Sequence, residues 1–194
     1  MLREEDHTYW LDGKLIPGVT TIIKDLTDYS IIPPIILETA RQKGNAVHAM
    51  INLWATDNLG ERADQPDWLQ PCYDEMLRFI DDSGLKIIAS EKLVYHPQYK
   101  YAGTLDIRCT MRGKNGIGII DAKRSFFAGA AIGLQLAGYQ GAENINIDQE
   151  PVLWRAALKI NEKSAYRLEP YDDRNDWTTF LACLVRYNWV KAHQ

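Results

Sequence analysis

The run Gly116-Ile117-Gly118-Ile119-Ile120 passes without a break into Asp121-Ala122-Lys123. A short apolar run of this kind reads as a buried strand. Side chains alternate along a strand, so Ile117, Ile119, Asp121 and Lys123 share one side. A carboxylate and an ammonium therefore emerge together where an otherwise apolar strand ends. Burying a charge is costly unless it is paired or binds a metal. Two arrangements meet that condition: a salt-bridged pair closing the strand, or a site that holds a cation.

The rest of the chain supplies an ordinary globular setting. Its 194 residues are 46% hydrophobic and 25% charged, enough for one domain with a sizeable core. No stretch is apolar enough to span a membrane, and the first residues, Met1-Leu2-Arg3-Glu4-Glu5-Asp6, resemble neither a signal peptide nor a transit peptide. The three cysteines, Cys72, Cys109 and Cys183, are scattered and read as small buried residues of a reducing compartment, which predicts a cytoplasmic protein. Net charge is −4, yet residues 86–124 hold eight Lys or Arg against three acids, a net of +5. Glu91, Asp106 and Asp121 are those acids. A cation on two of them would turn the segment into a positive strip for phosphates, whereas the same excess is also met as solvated surface charge.

The periodicity predicts a hairpin within residues 9–23 turning at Asp12-Gly13, and a helix from Ile35 to Ala55 with Ala40, Val47, Ile51 and Trp54 inward. On that helix Arg41, Gly44 and His48 line one stripe. Gly44 costs the helix roughly 1 kcal/mol relative to Ala. Close approach of a backbone or a phosphate accounts for it, and so does a packing contact. A second helix, Trp68 to Ile80, points Leu69, Tyr73, Met76, Leu77 and Ile80 inward, and strands follow at about 86–96, 102–111 and 116–123. A helix from about Ala128 to Asn144 puts Gln135 and Tyr139 on one face. A strand from Val152 to Ile160, a turn into Tyr166-Arg167-Leu168 and a helix from Asp176 to Val190 complete the chain.

In order, the chain carries His48, then Gly103-Thr104-Leu105-Asp106, then Asp121-Ala122-Lys123, then Gln135-Leu136-Ala137-Gly138-Tyr139. This ordered set, spanning about Tyr9 to Tyr171, resembles the PD-(D/E)XK nuclease superfamily. The RecB-type and phage-type exonuclease domains are the nearest in pattern, with lambda exonuclease and the mitochondrial genome-maintenance exonuclease as more distant relatives. The segments His7-Thr8-Tyr9-Trp10-Leu11-Asp12-Gly13-Lys14 and Pro17-Gly18-Val19-Thr20-Thr21-Ile22-Ile23 look like the leader of phage-type members. The resemblance implies an α/β fold with a central mixed β-sheet flanked by helices. It also implies one nuclease domain over 1–194: a leader (1–34), a core (35–171) and a C-terminal helix (172–194).

A phosphodiester resists attack because its anionic oxygens repel a nucleophile. A divalent cation offsets that charge and lowers the pKa of water. The resemblance assigns His48, Asp106, Asp121 and the backbone carbonyl of Ala122 as ligands for Mg²⁺ or Mn²⁺. Lys123 would orient and deprotonate the attacking water, or stabilise the transition state. Gln135 would hydrogen-bond water, Lys123 or a phosphate. Tyr139 would touch a phosphate or stack on a base, and Arg41, Lys43, Arg124 and Ser125 would contact DNA. Glu91 is a possible accessory acid, or a surface glutamate. Two departures stand out: Arg124 replaces the small hydroxyl residue common after the motif lysine, with Ser125 one later, and Lys43 precedes Gly44 where arginine is common. Three cysteines cannot supply the four-cysteine set of some RecB-type relatives, so no iron–sulfur cluster is expected.

The implied activity is a DNA exonuclease acting on single- or double-stranded ends, in phage recombination or DNA repair, in a bacterial or phage-infected cell. A phage recombination partner fits that setting. An endonuclease, an RNA-directed nuclease and a non-catalytic DNA-binding or scaffold protein of the same fold are the alternatives. No oligomer seam is legible.

Overall fold

The computed structural model describes residues 2–5, 7–28, 30–124, 129 and 131–194. Three short antiparallel strands open the chain: β1 (Leu2–Glu5), β2 (Thr8–Leu11) and β3 (Lys14–Ile16). The expected turn at Asp12-Gly13 joins β2 to β3. The added strand β1 lies in a charged stretch with no alternating apolar pattern to mark it. Val19–Ile23 is helix α1, which buries Val19, Ile22 and Ile23.

Helix α2 (Pro34–Ala55) begins with a proline, whose missing N–H costs nothing in the first turn. It buries Val47, Met50 and Ile51 in its second half. Its first half stands off the core: Ile35 is 75% and Ile36 57% exposed. Ala40, expected inward, is exposed. Helix α3 (Gln70–Ser83) buries Cys72, Met76 and Phe79, and Leu77, also expected inward, faces out. The larger Phe79 ring sets the helix phase by packing edge-on against Tyr166, with centroids 5.2 Å apart.

Five strands form the central sheet in sequence order: β4 (Lys86–His96), β5 (Tyr101–Thr110), β6 (Ile117–Lys123), β7 (Val152–Asn161) and β8 (Ser164–Pro170). Neighbours are antiparallel except β6 and β7, which run parallel. Helix α4 (Ala131–Asn144) lies in the crossover between those two, because parallel strands need a long return connection. Helix α5 (Asn175–Ala192) ends the fold. The protein is thus an α/β structure with a mixed sheet flanked by helices, in the expected order of helix, three strands, helix, strand.

Strand β6 is central and buried on both sides, which explains its unbroken apolar character. Ile117 and Ile119 join the cluster beneath α1, α4 and α5. Ile120 and Ala122 join the cluster beneath α2 and α3. Gly118 interrupts the isoleucines because the Trp154 ring lies on it; a Cβ there would meet that ring at 2.0 Å. Cys72 and Cys109 pack as buried thiols in the second cluster.

The basic segment is not a continuous outer strip. Arg108 is 6% exposed and meets Glu143 of α4 at 2.8 Å, and Lys92 meets the same carboxylate at 2.7 Å. Two of its eight cations therefore neutralise a buried glutamate and tie β4 and β5 to α4. A buried carboxylate needs such compensation.

Candidate functional site

Asp106 of β5 and Asp121 of β6 stand on neighbouring antiparallel strands, and α2 brings His48 over them. The Ala122 amide donates to Asp106 Oδ2 at 2.7 Å. His48 Nδ1 lies 3.3 Å from the same oxygen. Burial opposes charge on both groups, but their mutual attraction wins. It raises the imidazole above its ordinary value and, with Lys123 and the Ala122 amide, holds the Asp106 carboxyl below its own.

Asp121 is 1% exposed. Its Oδ1 accepts from Gln135 Nε2 at 2.9 Å, and its Oδ2 lies 2.7 Å from Lys123 Nζ. Burial, reinforced by the charge of Asp106, pushes this carboxyl up against the opposing pull of Lys123. The shared face of Asp121 and Lys123 follows directly from strand alternation. Lys123 keeps 27% of its side chain exposed, at the edge of the cleft.

Glu91 completes the acidic group. Ligand atoms of His48, Glu91 and Asp106 all lie within 4.8 Å of one another. Two carboxylates and an imidazole form a donor set suited to a divalent cation of the Mg²⁺ or Mn²⁺ kind. The trio differs from the ligand set implied by resemblance: Glu91 is in it, and Asp121 is engaged with Lys123 and Gln135 instead. A buried carboxylate needs counter-charge, and the adjacent ammonium supplies it. At Ala122 it is the amide N–H, not the carbonyl, that meets Asp106.

Glu91 reaches the site through an unusual backbone. It lies inside β4 at φ +47°, between the regular pairs Ser90–Ile107 and Lys92–Leu105. A left-handed conformation costs a non-glycine residue roughly 1–2 kcal/mol. Burial and then the charge of Asp106 also push its carboxyl up. Strain and repulsion both make Glu91 a cost to the fold. Glu91→Gly should therefore raise the melting temperature, by a free energy on the order of 1 kcal/mol after the entropic cost of glycine. The same substitution should weaken Mn²⁺ binding in calorimetry. A lower melting temperature with unchanged Mn²⁺ affinity would show that Glu91 serves the fold alone.

Gln135 and Tyr139 share a face of α4 as expected. Gln135 Nε2 also donates to the Tyr139 hydroxyl at 3.1 Å. The Tyr139 ring is 4% exposed and lies against Gly103, where a Cβ would meet it at 2.5 Å. Base stacking on Tyr139 is therefore corrected: the ring belongs to the core, and its hydroxyl meets Gln135, which in turn holds Asp121.

The other expected DNA contacts divide. Arg41 is exposed and forks onto Glu38, one turn earlier on α2, at 2.8 and 2.9 Å. Arg124 and Lys43 converge on Glu162, a residue the sequence did not single out. Arg124 makes two contacts, at 2.6 and 3.2 Å, and Lys43 one at 3.4 Å, while also standing 4.9 Å over the Trp68 ring. Burial works against the Glu162 charge, but the Arg124 guanidinium and the Lys43 ammonium hold its carboxyl down to about 2. Ser125 lies outside the described residues. Among the described residues a Cβ on Gly44 would meet nothing within 4 Å, so no packing contact there accounts for that glycine.

A cleft of about 430 Å³ opens over this group. Besides Glu91, Asp106, His48 and Lys123, its walls include Asn45 and Asn52 of α2 and His7, Tyr9 and Thr104. The two asparagines lie three before and four after His48, so helical spacing from that histidine would have found them. Tyr9 has no such signal. Its hydroxyl meets that of Thr104 at 3.1 Å because the N-terminal hairpin folds onto the sheet.

No protein-family model matches the sequence, and no curated protein does. Among solved structures, the fold is similar to the crystal structure of an alkaline exonuclease from Laribacter hongkongensis. The two are 14% identical, over 91% of this chain and 92% of that one, with a TM-score of 0.40. No helix among the described residues is long and apolar enough to cross a membrane.

Proposed function

We propose that this protein is a divalent-metal-dependent DNA exonuclease of the PD-(D/E)XK superfamily, hydrolysing phosphodiester bonds at DNA ends. The observation that carries the reading is the meeting of His48, Glu91 and Asp106 in one group within 4.8 Å, beside the Asp121–Lys123 pair. The ordered motifs of the sequence support it independently.

Asp106, Glu91 and His48 would hold Mg²⁺ or Mn²⁺, with Asp121 and the Ala122 carbonyl as the further ligands the resemblance implies. Such a cation supplies neutralisation of the phosphodiester charge and a lowered pKa for water. Lys123 places its ammonium at the cleft edge, where it orients the attacking water or meets negative charge that develops on the phosphoryl oxygens. Gln135, fixed by the Tyr139 hydroxyl, holds Asp121 toward Lys123. Arg41, Lys43 and Arg124 would bind backbone phosphates on the α2 side, and Ser125 is assigned there by resemblance. The iron–sulfur cluster of some relatives has no part in this chemistry. The setting that fits is the cytoplasm of a bacterial or phage-infected cell, in phage recombination or DNA repair, with a phage recombination protein as a suitable partner.

End-labelled linear DNA, closed circular DNA and RNA, each with Mg²⁺, Mn²⁺ or EDTA, test the reading. Linear DNA should be degraded from its ends with either metal and survive in EDTA, while closed circles and RNA persist. Undiminished cleavage by metal-free protein in EDTA would sink the mechanism. Rapid linearisation of closed circles would make the protein an endonuclease instead.

A further inference from the structure

The first half of α2 exposes apolar side chains near the site. Ile36 precedes Thr39 by three residues and Ala40 by four, and Lys43 follows them by four and three, so the four form a single stripe on the helix. With Ile35 and Arg124 they line a groove of about 290 Å³. Its floor is apolar and open, with Ile35 75% and Ile36 57% exposed. Isolated exposed apolar residues are common, but these are grouped, concave and edged by two cations.

Those cations indicate what the groove accepts. Arg124 forks onto the Glu162 carboxylate at 2.6 and 3.2 Å, and Lys43 reaches the same group at 3.4 Å. A guanidinium fork and an ammonium converging on one anionic group is the arrangement that also binds a phosphate. An apolar floor beside a phosphate-binding pair matches the two halves of a nucleotide. A paired base within a duplex does not expose its faces to such a floor; an unpaired base does.

The groove is also close to the proposed chemistry. Arg124 directly follows Lys123 in the chain. Lys43 precedes His48 by five residues on α2, about 7.5 Å along the helix axis. Gly44 lies between them, where a Cβ would meet nothing within 4 Å among the described residues. A helix glycine with no described side chain beside it leaves room for a DNA backbone to pass.

We propose that the groove lined by Ile35, Ile36, Thr39, Ala40, Lys43 and Arg124 is a subsite for one unpaired nucleotide of a DNA strand. The base lies on Ile35 and Ile36. Its phosphate takes the place of the Glu162 carboxylate between Arg124 and Lys43. This assignment rests on the nuclease reading, and it names single-stranded DNA as what enters on the α2 side. Glu162 then has a definite role: it keeps the two cations gathered and excludes weaker anions.

Fluorescence anisotropy of the full chain in EDTA, which prevents cleavage, tests this. The probes are a labelled thymidine oligomer of about ten nucleotides, an abasic oligomer of the same length, and a blunt duplex. The parent should bind the thymidine oligomer more tightly than the other two. Ile35→Ser and Ile36→Ser, both at exposed positions, should each weaken the thymidine oligomer by about five- to tenfold, corresponding to the lower end of the per-base range for stacked bases. Both should leave the abasic oligomer as in the parent. Arg124→Ala should weaken both oligomers. Glu162→Gln, which removes the competing charge, should bind both oligomers several-fold more tightly. Equal binding of thymidine and abasic oligomers by the parent overturns the subsite, as does parental affinity in the two isoleucine variants. Unchanged or weaker binding by Glu162→Gln overturns the exchange of carboxylate for phosphate. Cleavage of linear DNA, measured in parallel with Mn²⁺, separates the two readings. A parent that cleaves but ignores the base loses only the subsite, and one that neither binds nor cleaves loses both.

Discussion

Replacing Lys123 with alanine is expected to slow DNA hydrolysis by about 10²-fold or more, the scale for a positioned proton-transfer group. Mn²⁺ binding should remain as in the parent, because Lys123 is a cation beside the acidic group and ligates nothing. The substitution also has a structural consequence. Asp121 is 1% exposed and lies 2.7 Å from the ammonium. Losing that partner leaves a buried carboxylate whose pKa burial already raises. Breaking such a pair costs roughly 3–5 kcal/mol, so Lys123→Ala should also melt at a lower temperature. Lys123→Gln separates the two effects. Its amide still donates to Asp121, so much of the stability should return, while the rate should stay low because an amide carries neither the charge nor the proton. A Lys123→Gln enzyme within a few-fold of the parental rate would reduce Lys123 to a structural counter-ion.

Asp106→Asn should have the largest effect on metal binding. Asp106 belongs both to the His48–Glu91–Asp106 group and to the ligand set implied by the motifs. Asparagine keeps the volume and an oxygen that can accept the Ala122 amide, now at 2.7 Å from the carboxylate. Folding, followed by circular dichroism, should therefore persist. Mn²⁺ affinity should fall by more than the roughly 10–100-fold that follows loss of an outer-shell partner, and cleavage should disappear with it. Asp121→Asn makes the informative comparison. Asp121 is turned toward Lys123 and Gln135, so its loss should depress the rate more than the affinity. Parental Mn²⁺ affinity in Asp106→Asn would remove the acidic group from the mechanism altogether.

Much of this protein is determined by local patterns. The alternation through Ile117, Ile119, Asp121 and Lys123 places a carboxylate and an ammonium on one side of a strand whatever surrounds it, because the strand period is two. The i, i+4 relation of Gln135 and Tyr139 holds for any helix there. The strand at Lys86–His96, the turn at Asp12-Gly13 and the order of the core elements were legible for the same reason: near-neighbour geometry and turn chemistry specify them.

Relations between distant segments were not legible. Glu91 looked like an accessory or surface acid. Only a left-handed residue inside β4, opposite β5, turns its carboxylate toward Asp106. Tyr139 looked available to DNA, and its burial depends on Gly103, 36 positions earlier, making room for the ring. Arg108 and Lys92 counted toward a positive strip until α4 brought Glu143 between them. Glu162 carried no motif, yet the turn after β7 sets it between Lys43 and Arg124. Periodicity records which side of its own element a residue takes. Which partner waits on that side, and whether a charge is neutralised or presented, is decided when the elements pack. The cost of burying an uncompensated charge then selects among the arrangements that packing allows.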